Sequence, residues 1–216
     1  MRYTTIIFDL DGTILNTLDD LTASVNYALE KCGYPTHTKE AVCGFVGNGI
    51  GKLMERSVPK GTSKEDIQHY HKVFTEHYKV HCADNTKPYD GIMELIDKLR
   101  ALGCKTAVVS NKADYAVQSL CADYFPGMMD MAVGEREGIR RKPCPDSVFE
   151  VMEKIGASPE SVLYVGDSDV DVETARNAGV DCMAVSWGFR SEEFLRQHGA
   201  EHIADTAEEL FDFICG

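Results

Sequence analysis

The sequence predicts an α/β fold, a Rossmann-like doubly wound parallel sheet with an inserted α-helical domain, and three observations predict it. Five short apolar runs read as buried parallel strands, helical patterns separate most of them, and a long stretch without strand character follows the first. The runs are Thr4 to Phe8, Thr106 to Val109, Met129 to Val133, Val162 to Val165 and Cys182 to Val185.

Each intervening helix has its own signal. Ile92, Leu95, Ile96, Leu99 and Leu102 recur at helical spacing, and Gly103 ends that helix just before the second strand. Ser147 to Ile155 and Val170 to Ala178 behave likewise, the latter stopped by Gly179, so the chain beyond about residue 88 reads as βα layers. Between the first strand and those layers, Leu18, Leu21, Val25, Ala28, Leu29 and Cys32 form an amphipathic stripe, with Thr17 expected as N-cap and Gly33 as the stop. Ile67, Tyr70, His71, Phe74, Tyr78 and His81 form a second stripe. The expected organisation is therefore a core domain of residues 1–15 and 84–216 and a helical cap of residues 16–83, hinged at two linkers.

Composition narrows the partners. Lys and Arg number 22 against 35 Asp and Glu, a net charge of −13 that repels nucleic-acid phosphates and anionic membranes. Any anionic substrate must then meet local positive charge from a metal, a lysine or helix N-termini. Eight cysteines without a C-x-x-C pair or a disulfide framework fit free thiols in a reducing cytoplasm. The apolar start ending at Phe8 is too short for a signal peptide or a membrane span, so the expected location is cytoplasmic.

Polar residues follow three strands directly: Asp9 and Asp11 the first, Ser110 and Asn111 the second, Asp167 the fourth. Strands of an open parallel sheet present their carboxyl ends on one side, so these residues are expected to converge. A cluster of carboxylates calls for a cation, and oxygen ligands favour Mg²⁺.

The ordered set Asp9-Leu10-Asp11-Gly12-Thr13-Ile14, Ser110, Lys142 in Arg141-Lys142-Pro143, and Gly166-Asp167-Ser168 with Asp171 resembles the haloacid-dehalogenase-like phosphatases over nearly the whole chain. The resemblance implies that core fold with its helical lid, an aspartyl-phosphate on Asp9, and Asp11 as general acid and then base. It further implies phosphoryl binding by Ser110, Asn111, Lys142, Gly12 and Thr13, and a Mg²⁺ site of Asp9, Asp11 and Asp167 supported by Ser168 and Asp171. Physical chemistry agrees, because a carboxylate attacks phosphorus only once the phosphoryl charge is neutralised, and a second carboxyl can shuttle the proton.

Phe45-Val46-Gly47-Asn48-Gly49, Leu53-Met54-Glu55-Arg56 and Trp187-Gly188-Phe189 resemble the phosphoglycolate phosphatases. This implies a small phosphorylated metabolite, 2-phosphoglycolate, met by Gly47, Asn48, Lys52 and Arg56 of the cap and hydrolysed by a monomer or small homo-oligomer. Pyrophosphatase and sugar-phosphate phosphatase or mutase are the alternatives within this fold, although no His follows the first motif as in hexose-phosphate mutases. A phospho-aspartate signalling switch is disfavoured, since its acceptor Asp sits on a later strand than its acidic pair. Blander uses remain open for several residues: Asp171 as third residue of a capping box begun by Ser168, Gly47 to Gly49 as an ordinary turn, and Lys142 as a solvated charge beside Arg140 and Arg141. His69, His71, His77 and His81 with Cys82 crowd one helix, but no carboxylate or second Cys completes a zinc set.

Overall fold

The computed structural model describes residues 2–47 and 49–216. Its contacts divide the chain into two compact units, Met1–Leu15 with Pro88–Gly216, and Asn16–Lys87.

The chain opens with β1 (Thr5–Phe8) and a two-residue β2 (Leu15–Asn16). Four helices follow, α1 (Leu18–Lys31), α2 (Lys39–Phe45), α3 (Ile50–Ser57) and α4 (Lys64–His81). A short β3 (Lys87–Pro88) pairs with β2. Then come α5 (Ile92–Ala101), β4 (Lys105–Ala113), α6 (Asp114–Tyr124), β5 (Met131–Glu135), α7 (Asp146–Ile155), β6 (Val162–Gly166) and α8 (Asp169–Ala178). The chain ends with β7 (Asp181–Val185), α9 (Glu192–Gln197), β8 (Ile203–Ala204) and α10 (Ala207–Cys215).

Six strands form one sheet in the order β5-β4-β1-β6-β7-β8, with every pairing parallel. The fold class is the one read from the sequence. All four residues of β1 are buried because both faces are covered, as parallel sheets require. Ile6 and Phe8 join Leu95, Leu99, Val117, Leu120, Leu210 and Ile214 on one face, which places α5, α6 and α10 there. Ile7 joins Val148, Val151, Ala175 and Ala178 on the other, under α7 and α8.

Strand order reverses at β1, with β4 on one side and β6 on the other. That is a topological switch point, where the carboxyl ends of adjacent strands open a crevice.

Several local expectations shift. The strand expected over Met129 to Val133 begins at Met131, because Asp130 is engaged beforehand: its carboxylate accepts the Thr106 N–H at 3.0 Å and its own N–H donates to the Thr106 carbonyl at 2.7 Å. Thr17 occupies the N-cap position of α1 without its side chain capping the helix, and the Leu18 N–H donates to Asn16 Oδ1 instead. β8 is two residues long, below the length at which a sequence pattern can be seen.

Within the helical unit, α1 packs on α4 and α2, and α3 packs on α2 and α4. Leu21, Val25, Ala28 and Leu29 of α1 and Tyr70, Phe74 and Tyr78 of α4 are buried, so the two predicted stripes are the buried faces. Asp20, 1% exposed, accepts hydrogen bonds at 2.8–3.0 Å from the backbone N–H groups of Asn85 and Thr86, the Asn85 amide and the Thr86 hydroxyl. A buried carboxylate thereby joins the start of α1 to the segment leading into β3.

Candidate functional site

The site begins at the residue after β1. Register pairs Phe8 with Val108 of β4 and with Val165 of β6, so Asp9 lies level with the ends of two neighbouring strands. Its N–H donates to the Val165 carbonyl at 2.8 Å, which extends the pairing and fixes the side chain at the crevice. Asp9 Oδ1 is buried, and Lys142 Nζ lies 2.9 Å away at ion-pair distance but without hydrogen-bond alignment. Burial pushes the Asp9 carboxyl up to about 6 against the pull of Lys142, with Asp171 and Asp11 adding to the rise.

Lys142 precedes α7, and its ammonium is buried among three groups. Besides Asp9 it donates to Asp171 Oδ1 at 2.8 Å and to the Tyr164 hydroxyl at 3.1 Å, and Tyr164 donates to the Val109 carbonyl at 3.2 Å. Burial disfavours the lysine charge, but Asp171 and Asp9 outweigh it and hold its pKa well above the ordinary value. Lys142 is therefore no solvated surface charge. Its backbone is aligned by Asn111, whose amide oxygen accepts the Lys142 N–H at 2.8 Å while the amide nitrogen donates to the Lys142 carbonyl at 3.0 Å.

Asp167 follows β6 and is 2% exposed. Its Oδ1 accepts from the Thr13 hydroxyl at 3.3 Å and its Oδ2 from the Phe189 N–H at 2.7 Å. Burial raises its pKa well above the carboxylate range, with Asp171 and Asp9 adding to it. Two glycines make room for this carboxylate: a Cβ on Gly12 would lie 2.3 Å from Asp167 Oδ2, and one on Gly188 would lie 2.3 Å from Asp167 Cβ and 2.4 Å from the Gly12 carbonyl. The Trp187 indole donates to the Thr13 carbonyl at 2.9 Å, so the loop after β7 braces both the first motif and Asp167.

Asp9, Asp167 and Asp171 form a buried group whose ligand oxygens lie within 4.8 Å of one another, a donor set that fits a hard cation. The oxygens of Asp171 are already committed. Oδ2 accepts the Ser168 N–H at 3.1 Å and its hydroxyl at 2.6 Å in the capping box of α8, and Oδ1 accepts from Lys142. The capping-box reading of Ser168 and Asp171 thus holds, and Asp9 and Asp167 are the carboxylates available to an ion.

The other predicted residues of the core have partners of their own. Asp11, expected among the metal ligands, has its carboxylate on Lys112 Nζ at 2.8 and 3.2 Å, because a buried ammonium needs a partner. Gly12 and Thr13, expected at the phosphoryl group, have their N–H groups on the Leu15 and Leu10 carbonyls, closing a tight turn. Gly12 also leaves the space that the Asp167 carboxylate fills, and the Thr13 hydroxyl donates to it. Ser110 is 6% exposed, and its hydroxyl oxygen accepts the Lys112 N–H at 3.3 Å, which leaves the O–H to donate.

In the helical unit, Arg56 Nη1 donates to the carbonyls of Phe45 at 2.9 Å and Gly47 at 3.3 Å, holding the turn between α2 and α3, and Lys52 pairs with Glu55. Asn48 lies outside the described residues. His77 and His81 stack at 4.3 Å, with Ser24 on the first and Asp84 on the second. Lys112 and Tyr164 were not legible as site residues, and Trp187 was legible only as part of the Trp187-Gly188-Phe189 resemblance. The one signal for Lys112 was its position two residues beyond Ser110.

Residues 6–185 match the model of the haloacid dehalogenase-like hydrolase family, and the chain belongs to that family. The resemblance carried by its four motifs is borne out. It is 32% identical to a phosphoglycolate phosphatase of Aquifex aeolicus, over 85% of each chain. It is 29% identical to an N-acetylmuramic acid 6-phosphate phosphatase of Pseudomonas aeruginosa, over 99% of this chain and 96% of that one. Among solved structures, a protein of Lactobacillus delbrueckii subsp. bulgaricus, provisionally named a phosphoglycolate phosphatase, is 40% identical and superposes with a TM-score of 0.95 over 99% of each chain.

Proposed function

We propose that this enzyme is a Mg²⁺-dependent phosphatase that hydrolyses a small phosphate monoester, 2-phosphoglycolate, through an aspartyl-phosphate on Asp9. The observation that carries the reading is the buried Asp9 carboxylate at the switch point, facing Lys142 at 2.9 Å and grouped with Asp167. Asp9 and Asp167 would hold the ion. When bound, Mg²⁺ supplies the charge that neutralises the phosphoryl oxygens in a buried acidic pocket.

A carboxylate oxygen of Asp9 attacks phosphorus, forming the acyl phosphate as the bond to the alkoxide breaks. Asp11 gives its proton to that alkoxide. Water then attacks phosphorus, Asp11 takes its proton, and phosphate leaves with Asp9 regenerated. Lys142 and the Ser110 hydroxyl hold the phosphoryl oxygens through both displacements, while Asn111, Tyr164 and Asp171 keep Lys142 in place. The inserted helical unit, residues 16–83 as read from the sequence, is proposed as a cap that excludes water, and Lys52, Arg56, Gly47 and Asn48 as its substrate-specificity residues.

The name of the Aquifex relative supports phosphoglycolate. The Pseudomonas relative supports a second reading, a sugar phosphate carrying a carboxylate. Eight free thiols support a cytoplasmic setting. The test is kcat/KM for 2-phosphoglycolate with Mg²⁺ beside N-acetylmuramic acid 6-phosphate, pyrophosphate and hexose phosphates, with EDTA controls. Preference for phosphoglycolate that EDTA abolishes is expected. Preference for another ester discards the substrate, and turnover by Asp9→Asn discards the covalent route.

A further inference from the structure

Lys112 ends the run Ser110-Asn111-Lys112, and nothing above gives it a role in the reaction. Its side chain is 3% exposed, and its ammonium meets both carboxylate oxygens of a residue 101 positions away, Asp11, at 2.8 and 3.2 Å. An ammonium is a strongly hydrated point charge, so burying one requires a partner and a backbone that cannot drift.

The backbone here is held from two sides. The Lys112 N–H donates to Ser110 Oγ, and Gly134 of β5 packs so closely that a Cβ there would lie 2.6 Å from the Lys112 carbonyl and 2.5 Å from Asp114 Cα. Asp114 in turn accepts the Gly134 N–H at 2.8 Å. The sheet irregularity between Val109 and Ala113 falls across this stretch, where a bulge re-aims side chains. Asp11 has the opposite problem. It stands two residues from Asp9, whose like charge repels it, and its side chain is 17% exposed.

We propose that Lys112 is the positioning residue for Asp11, holding the ionised carboxylate by both oxygens and the protonated carboxyl by its carbonyl oxygen alone, so that the side chain stays beside Asp9 and within reach of the leaving group. This rests on the reading of Asp11 as the proton donor. Lys112 does not itself touch the ester. Its effect is confined to steps in which Asp11 moves a proton.

The test compares an alkyl ester, 2-phosphoglycolate, with p-nitrophenyl phosphate, whose nitrophenolate departs without a proton. kcat/KM is measured for wild type, Lys112→Met, Asp11→Asn and the double variant, all with Mg²⁺; this ratio reports transfer to Asp9. Lys112→Met is expected to lose about 100-fold on the alkyl ester, in the range of general acid catalysis, and about tenfold less on the aryl ester. In the Asp11→Asn background Lys112→Met is expected to add no further loss, and Lys112→Arg, whose fork also spans two oxygens, to recover part of the rate.

Equal losses on both esters, or full additivity with Asp11→Asn, would overturn the assignment and leave Lys112 a structural residue. If Asp11→Asn shows the selective loss and Lys112→Met does not, only the Lys112 assignment fails. If Asp11→Asn itself spares the alkyl ester, the proton-donor reading fails and takes this one with it. Lys112→Gln carries the same measurement should the methionine variant not fold.

Discussion

The backbone N–H of Phe189 donates to Oδ2 of Asp167 at 2.7 Å, which ties the loop after β7 to the carboxylate at the end of β6. Gly188, one residue earlier, lets that loop lie against Asp167 Cβ and the Gly12 carbonyl. Two loops from different strands thus share one carboxylate.

Gly188→Ala puts a methyl carbon 2.3 Å from Asp167 Cβ, so either Asp167 or the loop must shift. Loss of support behind a metal ligand typically weakens the ion by about 10–100-fold. A titration of activity with Mg²⁺ is expected to show the half-saturating concentration rising in that range. An unchanged midpoint would mean the loop is not needed to hold Asp167.

Asp20→Ala removes the acceptor of four donor groups on Asn85 and Thr86, of which the Thr86 hydroxyl keeps the Cys82 carbonyl. Stranding such groups costs about 3 kcal/mol. The expectation is a lower denaturant midpoint at constant m-value, with Asp20→Asn intermediate because it keeps one acceptor oxygen.

The metal-free protein is expected to be more stable at pH 5 than at pH 7.5. In the fold the Asp9 carboxyl is raised to about 6 and that of Asp167 is also raised, chiefly by burial. Between an unfolded value of about 4 and those folded values the native state holds more protons, so stability falls as pH rises through the window. In EDTA, thermal unfolding should show this slope, and Asp9→Asn should flatten it and raise Tm at pH 7.5. The stabilisation by Mg²⁺ should be larger at pH 7.5 than at pH 5, since protonated carboxyls do not ligate.

Arg56→Ala frees the Phe45 and Gly47 carbonyls and removes a cation from the α2–α3 turn. If the cap binds the substrate carboxylate there, KM for 2-phosphoglycolate is expected to rise about tenfold with kcat nearly unchanged, the mark of lost uniform binding. Pyrophosphate turnover is the control for a general effect on the fold. An unaltered KM would remove Arg56 from the substrate's carboxylate.

The sequence by itself determined the parallel sheet and the meeting of Asp9 with Asp167. Apolar runs buried on both faces, separated by helical stripes, admit few other layer arrangements, and strand ends of a parallel sheet point one way. It also carried the capping box of Ser168 and Asp171 and the buried stripes of α1 and α4, because those depend on spacings of three and four residues.

Tertiary structure alone decided the partners. Asn111 aligning Lys142, Lys112 gripping Asp11, Tyr164 bonding Lys142, and Trp187 holding Thr13 are side-chain hydrogen bonds between residues 22 to 174 positions apart. Such pairs have no period and no spacing rule. They arise because burial in the crevice forces every charge and donor to find a counterpart among whatever the neighbouring strands present. The same pressure set the Thr13 hydroxyl on Asp167, while the N–H groups of Gly12 and Thr13 close the turn that brings Asp9 and Asp11 to the strand end.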